Sequence, residues 1–102
     1  MKKYDKLVRD KIPEIIERDN KECIYEIASK EEHYDLLETK LKEEVNEFLE
    51  DKTLEELADV MEVLFGLADN LGYSEEDLLK ARDKKKEERG GFKKRIVLKG
   101  VK

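Results

Sequence analysis

Three hydroxyl residues, each followed three positions later by an acidic residue, divide most of the chain into helical segments. They are Ser29, Thr53 and Ser74, and this spacing is typical of a helix amino terminus. Apolar residues recur at helical spacing after each of them. The pattern predicts helices over 30–51, 54–71 and 75–89, with connections so short that consecutive helices must pack as neighbours.

The flanking parts of the chain carry weaker patterns. A first short helix is predicted over 11–19, capped by Asp10. Residues 22–28 and 92–101 are rich in β-branched and aromatic residues, which predicts short extended segments, as strands or connectors. The expected fold class is therefore all-α, a compact helical bundle in a single domain over residues 1–102.

Charge is distributed unevenly along this helical pattern. Residues 31–79 contain seventeen acidic and three basic side chains, whereas residues 80–102 contain three acidic and eleven basic ones. Seventeen carboxylates in one region repel each other unless cations or the basic tail compensate. Two readings stay open at this point, a metal site and a pair of solvated helix faces.

The kind of metal is limited by the residues available to bind it. Cys23 is the only cysteine and His33 the only histidine, which excludes a zinc site built from cysteine and histidine. Ligands must therefore be oxygen atoms. Carboxylate oxygen favours magnesium, manganese or calcium.

Two acidic pairs have the spacing that such a site needs. Glu44 and Glu47 are one turn apart on the helix over 30–51, and Glu56 and Asp59 are one turn apart on the next. A short antiparallel connection brings the pairs level, so four carboxylates could surround a hard cation that binds a phosphate chain. A further carboxylate, Glu43 or Glu62, would act as the base.

Each acidic residue also has an ordinary structural interpretation. The Glu56 carboxylate could accept a hydrogen bond from the backbone N–H of Thr53 and so complete a capping box. Glu43, Glu44 and Glu47 could form an exposed helix face, with Lys40 pairing to Glu44. Spacing alone does not decide between these interpretations and a metal site.

The order of the acids resembles a known signature. Glu43-Glu44-x-x-Glu47, a short connection and Glu56-x-x-Asp59 are similar to the motif of the all-α nucleoside triphosphate pyrophosphatases, the MazG-like superfamily that includes phosphoribosyl-ATP pyrophosphatase. The block over residues 4–16, which contains KLVRDKIPEII, resembles one small subgroup, and the similarity extends to residues 88–92. The eight residues between Glu47 and Glu56 form a shorter connection than in many relatives.

The resemblance implies an activity and a set of site residues. The activity is magnesium-dependent hydrolysis of a nucleotide between its α- and β-phosphates, with Mn2+ as an alternative ion, in nucleotide-pool house-cleaning. It implies a homodimer or homotetramer, which fits the apolar residues on two sides of the helix over 54–71. The implied metal ligands are Glu44, Glu47, Glu56 and Asp59, and the implied catalytic residues are Glu43 and Glu44.

Basic residues are needed to contact the phosphates of such a substrate. The candidates are Arg9, Lys11, Lys86 and Arg89. The alternative for Lys86 and Arg89 is a solvated basic helix that compensates the acidic middle of the chain.

Other classes of protein are open to the same pattern. The main alternative is a non-catalytic helical regulatory module that binds a nucleotide or a protein on the same scaffold. A nucleic-acid binder is disfavoured, because the middle of the chain is acidic and no array of stacking aromatic residues accompanies the lysines. Without an apolar signal region or a long apolar stretch, we expect a cytoplasmic protein and no membrane partner.

Overall fold

A computed structural model describes residues 5–102, which form four α-helices and no strand. Tyr4, the first residue of the amino-terminal block, lies outside the described residues. The helices are α1 (Ile12–Arg18), α2 (Lys30–Asp51), α3 (Leu54–Asn70) and α4 (Glu75–Arg89). The predicted all-α class is confirmed, and every predicted helix boundary agrees to within one residue. The predicted extended segments over 22–28 and 92–101 form no strand: 22–28 is irregular, and 92–101 begins with a turn at 92–94 and is irregular after it.

The three hydroxyl caps form as the sequence predicts. The side chains of Ser29, Thr53 and Ser74 accept hydrogen bonds from the backbone N–H groups three residues later, at 3.1, 3.2 and 3.0 Å. In α4, the Asp77 carboxylate accepts a hydrogen bond from the backbone N–H of Ser74 at 2.9 Å, which completes a capping box. The hydrogen bonds from Ser74 also lower the pKa of Asp77. Local chemistry therefore determines where these helices begin.

The predicted cap of the first helix is wrong. The residue that precedes α1 is Lys11, and no side chain caps the helix. Asp10 lies one position too early. Pro13 occupies the first turn, where its missing N–H group reduces the number of backbone donors that need a partner.

The packed centre of the molecule is an antiparallel hairpin of α2 and α3. Its buried apolar residues are Leu37, Val63 and Ala68. Gly66 on α3 faces Leu37 so closely that an added Cβ would lie 3.0 Å from Leu37 Cδ2. The absence of a side chain at Gly66 therefore lets the two helices approach each other.

A polar contact joins the two helices at the open end of the hairpin, opposite the short connection between α2 and α3. Asn70 Nδ2 donates to the backbone oxygen of Lys30 at 3.1 Å and lies 3.2 Å from His33 Nδ1. This contact joins the end of α3 to the start of α2 and helps to set their register. His33 thus has a packing role.

The bundle is less compact than predicted. Its Cα radius of gyration is 17.9 Å, whereas a compact chain of this length has about 13 Å. Helix packing in the described residues joins α2 to α3 and α3 to α4. Two parts contribute to the difference: α1 packs against no other helix of the described residues, and α4 carries no apolar residue after Ala81, so its second half stays exposed. Within residues 5–102, no helix combines the length and apolar character needed to cross a bilayer.

Gly66→Val is expected to lower the free energy of unfolding by about 1–3 kcal/mol, because the new side chain collides with Leu37. Urea denaturation followed by circular dichroism measures the change. Gly91→Val is the matched control, since an added Cβ at Gly91 meets nothing within 4 Å and should change stability by less than about 0.5 kcal/mol. Equal stability of the two variants would contradict a tight contact between the helices.

Candidate metal centre

Three carboxylates from the two hairpin helices converge near its closed end. Glu44 comes from the last two turns of α2, and Glu56 and Asp59 come from the first two turns of α3. One oxygen from each of the three lies within 4.8 Å of the others. The antiparallel hairpin brings them together because its connection is only two residues long, so the end of one helix lies beside the start of the next.

Glu44 is unusual because it is a buried carboxylate. The residue is only 8 % exposed, and its Oε2 atom has no hydrogen-bond partner among the described residues. Glu56 Oε2 is in the same situation. A buried, unpaired carboxylate oxygen is costly, on the order of several kcal/mol when charged. A cation bound by the two carboxylates would reduce that cost.

The cap of α3 leaves the Glu56 side chain available for this cluster. The Thr53 side chain accepts a hydrogen bond from the backbone nitrogen of Glu56. The Oε2 atom of the Glu56 carboxylate is buried and has no hydrogen-bond partner among the described residues. The backbone and the side chain of Glu56 therefore serve different purposes. One starts the helix, and the other belongs to the cluster.

The cluster raises the pKa of two of its members. Burial raises the pKa of Glu44 above its ordinary value, and repulsion by Glu47 adds to the effect, while Lys40 opposes it. Burial also raises the pKa of Glu56, again helped by Glu47 and by Asp59. Both shifts mean that the ionised carboxylates lack enough positive charge around them.

Two basic side chains contact the outside of the cluster. Arg9 Nη2 lies 2.7 Å from Asp59 Oδ1, across fifty positions of the chain. Lys40 Nζ lies 3.5 Å from Glu44 Oε1 and 3.7 Å from Glu43 Oε2. Because these contacts reach other atoms, they leave the inner Oε2 atoms of Glu44 and Glu56 without a partner.

The predicted ligands do not all occupy equivalent positions. Glu44, Glu56 and Asp59 share the cluster, whereas Glu47 is exposed and lies outside the group of three, close enough to affect the pKa of two members. Glu43 is exposed beside Lys40, and Glu62 is exposed on α3. The roles of Glu43 and Glu47 stay predictions.

The predicted phosphate-binding residues are spread over the molecule. Arg9 is at the cluster. Lys11 is exposed beside α1, and Lys86 and Arg89 are exposed in the last turn of α4. Within residues 5–102, Arg9 is the only one of these four basic residues that forms an ion pair with a carboxylate of the cluster, and its partner is Asp59. Sequence spacing could not reveal the pairing of Arg9 with Asp59, because nothing local relates residues so far apart.

The donor set suits a hard divalent cation. Three carboxylates with two unpaired oxygens match the oxygen ligands that magnesium and manganese prefer. Three protein ligands leave coordination positions open, as in sites where magnesium also binds substrate phosphates. Comparison of the chain with protein-family models, curated proteins and solved structures gives no match.

Glu44→Gln is expected to raise the thermal midpoint of the metal-free protein at neutral pH. The raised pKa of Glu44 means that its protonated form favours folding, so the stability it contributes is present below the ordinary value of 4.5 and is lost as pH rises through the raised pKa. A neutral glutamine avoids that loss. Thermal unfolding in EDTA, measured across this pH range, tests the prediction.

The control for this experiment is Glu50→Gln on the exposed surface of α2. It should leave both the midpoint and its pH dependence almost unchanged. Added Mg2+ or Mn2+ should stabilise the wild type and the control, and should leave Glu44→Gln unaffected. A Glu44→Gln variant that is less stable than wild type without metal would contradict the buried charge.

Arg9→Ala is expected to strengthen binding of free Mn2+ by up to roughly fivefold, because the guanidinium competes with the ion for Asp59. Electron paramagnetic resonance of free Mn2+ measures the affinity. Arg18→Ala removes a comparable exposed charge that pairs with Glu14, so its affinity should equal that of wild type. Weaker Mn2+ binding by Arg9→Ala would mean that Arg9 supports the ion site instead of competing with it.

Proposed function

We propose that this protein is a magnesium-dependent nucleotide pyrophosphohydrolase of the MazG-like kind. It hydrolyses a nucleoside triphosphate, or a related nucleotide, between the α- and β-phosphates. Water and the triphosphate give a nucleoside monophosphate and pyrophosphate. Removal of unwanted nucleotides from the cellular pool is the corresponding role.

One observation carries the proposal. Glu44 is buried, one of its carboxylate oxygens has no hydrogen-bond partner among the described residues, and the residue belongs to the same cluster as Glu56 and Asp59. A solvated acidic face would not bury a carboxylate and leave one of its oxygen atoms without a hydrogen-bond partner. The motif order over residues 43–59 and the amino-terminal block add the nucleotide chemistry, through their resemblance to the pyrophosphatases.

Different residues would bind the metal ion and the phosphate. Glu44, Glu56 and Asp59 would hold Mg2+, with Glu47 as the adjoining carboxylate. When bound, the ion neutralises phosphate charge and makes a water more acidic. Arg9, half exposed at the edge of the cluster, has further N–H groups that can donate to a phosphate oxygen.

The proton of the attacking water needs an acceptor. A carboxylate beside the cluster would accept that proton if it remains ionised and unbound to the metal. Glu43 and Glu62, both exposed to solvent, are the candidates, and Glu43 is the one adjacent in sequence to Glu44. Lys40 Nζ lies 3.7 Å from Glu43 Oε2.

A panel of canonical, deoxy and damaged nucleoside triphosphates tests the activity. With Mg2+ or Mn2+, the wild-type protein should release pyrophosphate from at least one of them. Glu44→Gln and Asp59→Asn should reduce release to background, because each removes a charged ligand from the cluster. Glu50→Gln should retain the wild-type rate.

Calorimetry with the same nucleotides separates the proposal from its alternative. Tight binding with no pyrophosphate released across the whole panel would contradict catalysis and would favour a non-catalytic regulatory module. That conclusion holds only if the protein is folded and both metals have been tried, so circular dichroism and Mn2+ binding are measured on the same sample.

We also propose a homo-oligomer, for which the exposed apolar residues of α3 are the support.

A further inference from the structure

The side of α3 that faces away from α2 carries an exposed apolar stripe. It consists of Leu54, Leu57, Met61 and Leu64, which are 79, 49, 52 and 41 % exposed. Their alternating spacing of three and four residues puts them on one helix face. No described residue covers this stripe, and a continuous apolar surface of this kind usually meets a partner.

One edge of the stripe is acidic. Glu55, Glu62 and Asp69 recur every seven residues along α3, and all three are exposed. A seven-residue repeat returns to nearly the same direction on a helix, so the three carboxylates form a row beside the stripe. A segment that fits this surface must be apolar and basic.

The irregular segment over 22–28 does not fit. Its apolar side chains are available, since Ile24 and Ile27 are 72 and 88 % exposed. However, its only charged residues are Glu22 and Glu26. The acidic row would repel them.

The carboxyl-terminal segment over 92–102 has the required chemistry. It contains five basic residues, no acidic residue and five apolar residues, and Phe92 and Leu98 are 98 and 76 % exposed. The basic run over 93–95 is followed by the apolar run over 96–98, so the apolar side chains can lie on the stripe while the neighbouring basic side chains reach the acidic row. Charge complementarity therefore selects this tail over residues 22–28.

The tail does not cover the stripe of its own chain. Every residue of α4 after Leu78 is exposed, so the second half of the helix leads the tail away without packing on the hairpin. The radius of gyration of 17.9 Å, against about 13 Å for a compact chain, reflects this extension. An exposed stripe and an exposed complementary tail on the same chain are what an exchange between two copies requires.

We propose that residues 92–102 of one copy lie along the apolar stripe of α3 in a second copy, and that the second copy reciprocates. The exchange buries both apolar surfaces of each chain and pairs the tail with the acidic row. Because the row borders the side of α3 that carries Asp59, the tail also brings positive charge close to the edge of the carboxylate cluster. This contact specifies the homo-oligomer of the proposed function and does not depend on catalysis.

Disulfide cross-linking tests which chain supplies the tail. In a Cys23→Ser background, Met61→Cys marks the stripe and Val97→Cys marks the tail. The two proteins are mixed, one of them labelled with 15N, and oxidised, and the cross-linked peptides are identified by mass spectrometry. The expected product is a covalent dimer that joins Cys at 61 of one protein to Cys at 97 of the other.

Charge reversal tests why the tail binds. Lys93→Glu, Lys94→Glu and Arg95→Glu together should raise the dimer dissociation constant by roughly tenfold or more in analytical ultracentrifugation. The matched control is the triple change of Lys84, Lys85 and Lys86 to Glu, which alters the net charge equally on the exposed part of α4. Combining the tail reversal with Glu55→Lys and Glu62→Lys should restore the dimer.

Three outcomes would overturn the exchange. They are a cross-link between two 61 positions without any 61 to 97 product, a Met61→Cys, Val97→Cys double variant that cross-links only within its own chain, and equal weakening of the dimer by the two triple charge reversals. Circular dichroism of each variant confirms that it is folded. A dimer with the expected cross-link but no pyrophosphate release would contradict the proposed activity alone, and release by a protein without the cross-link would contradict the exchange alone.

Discussion

The close packing of α2 against α3 is the constraint on which the rest of the structure depends. Gly66 permits it by leaving room for Leu37, and Asn70 joins the far end of the hairpin. With that register established, Glu44 must face Glu56 and Asp59 across the closed end. The same contact that forms the small core therefore also concentrates negative charge.

These two consequences oppose each other energetically. Among the described residues, three apolar residues are buried, so the hairpin has little hydrophobic stabilisation, yet it buries Glu44 with an unpaired oxygen. Arg9 and Lys40 reduce the repulsion from outside without reaching the inner oxygens. A local rule of folding is broken at this one place, which is the behaviour expected of a functional site.

The charge segregation along the chain acquires a spatial meaning in this fold. Acidic residues lie on α2 and α3, around the cluster and along the apolar stripe, while the basic residues of α4 and the tail lie on exposed surfaces. A chain that separates its charges in this way has complementary surfaces that its own packing leaves apart. A divalent cation would neutralise part of the excess negative charge at the cluster, and the basic tail of a second copy would neutralise another part beside the stripe.

The sequence alone determined the helices, because their signals are local. Ser29, Thr53 and Ser74 start helices through hydrogen bonds that span three residues, and apolar spacing defines the faces. The same locality explains the failure at Asp10, where a plausible cap lies one residue from the actual helix start. It also explains why the two acidic pairs could be identified as neighbours across a short connection.

Only the tertiary structure decided which carboxylates meet, and how. The spacing treated Glu44 and Glu47 as equivalent, but the packed hairpin buries Glu44 and leaves Glu47 exposed. Arg9 reaches Asp59 over fifty positions, and α4 turns out to pack only near its start. Such contacts depend on the relative placement of distant segments, and helical periodicity carries no information about that placement.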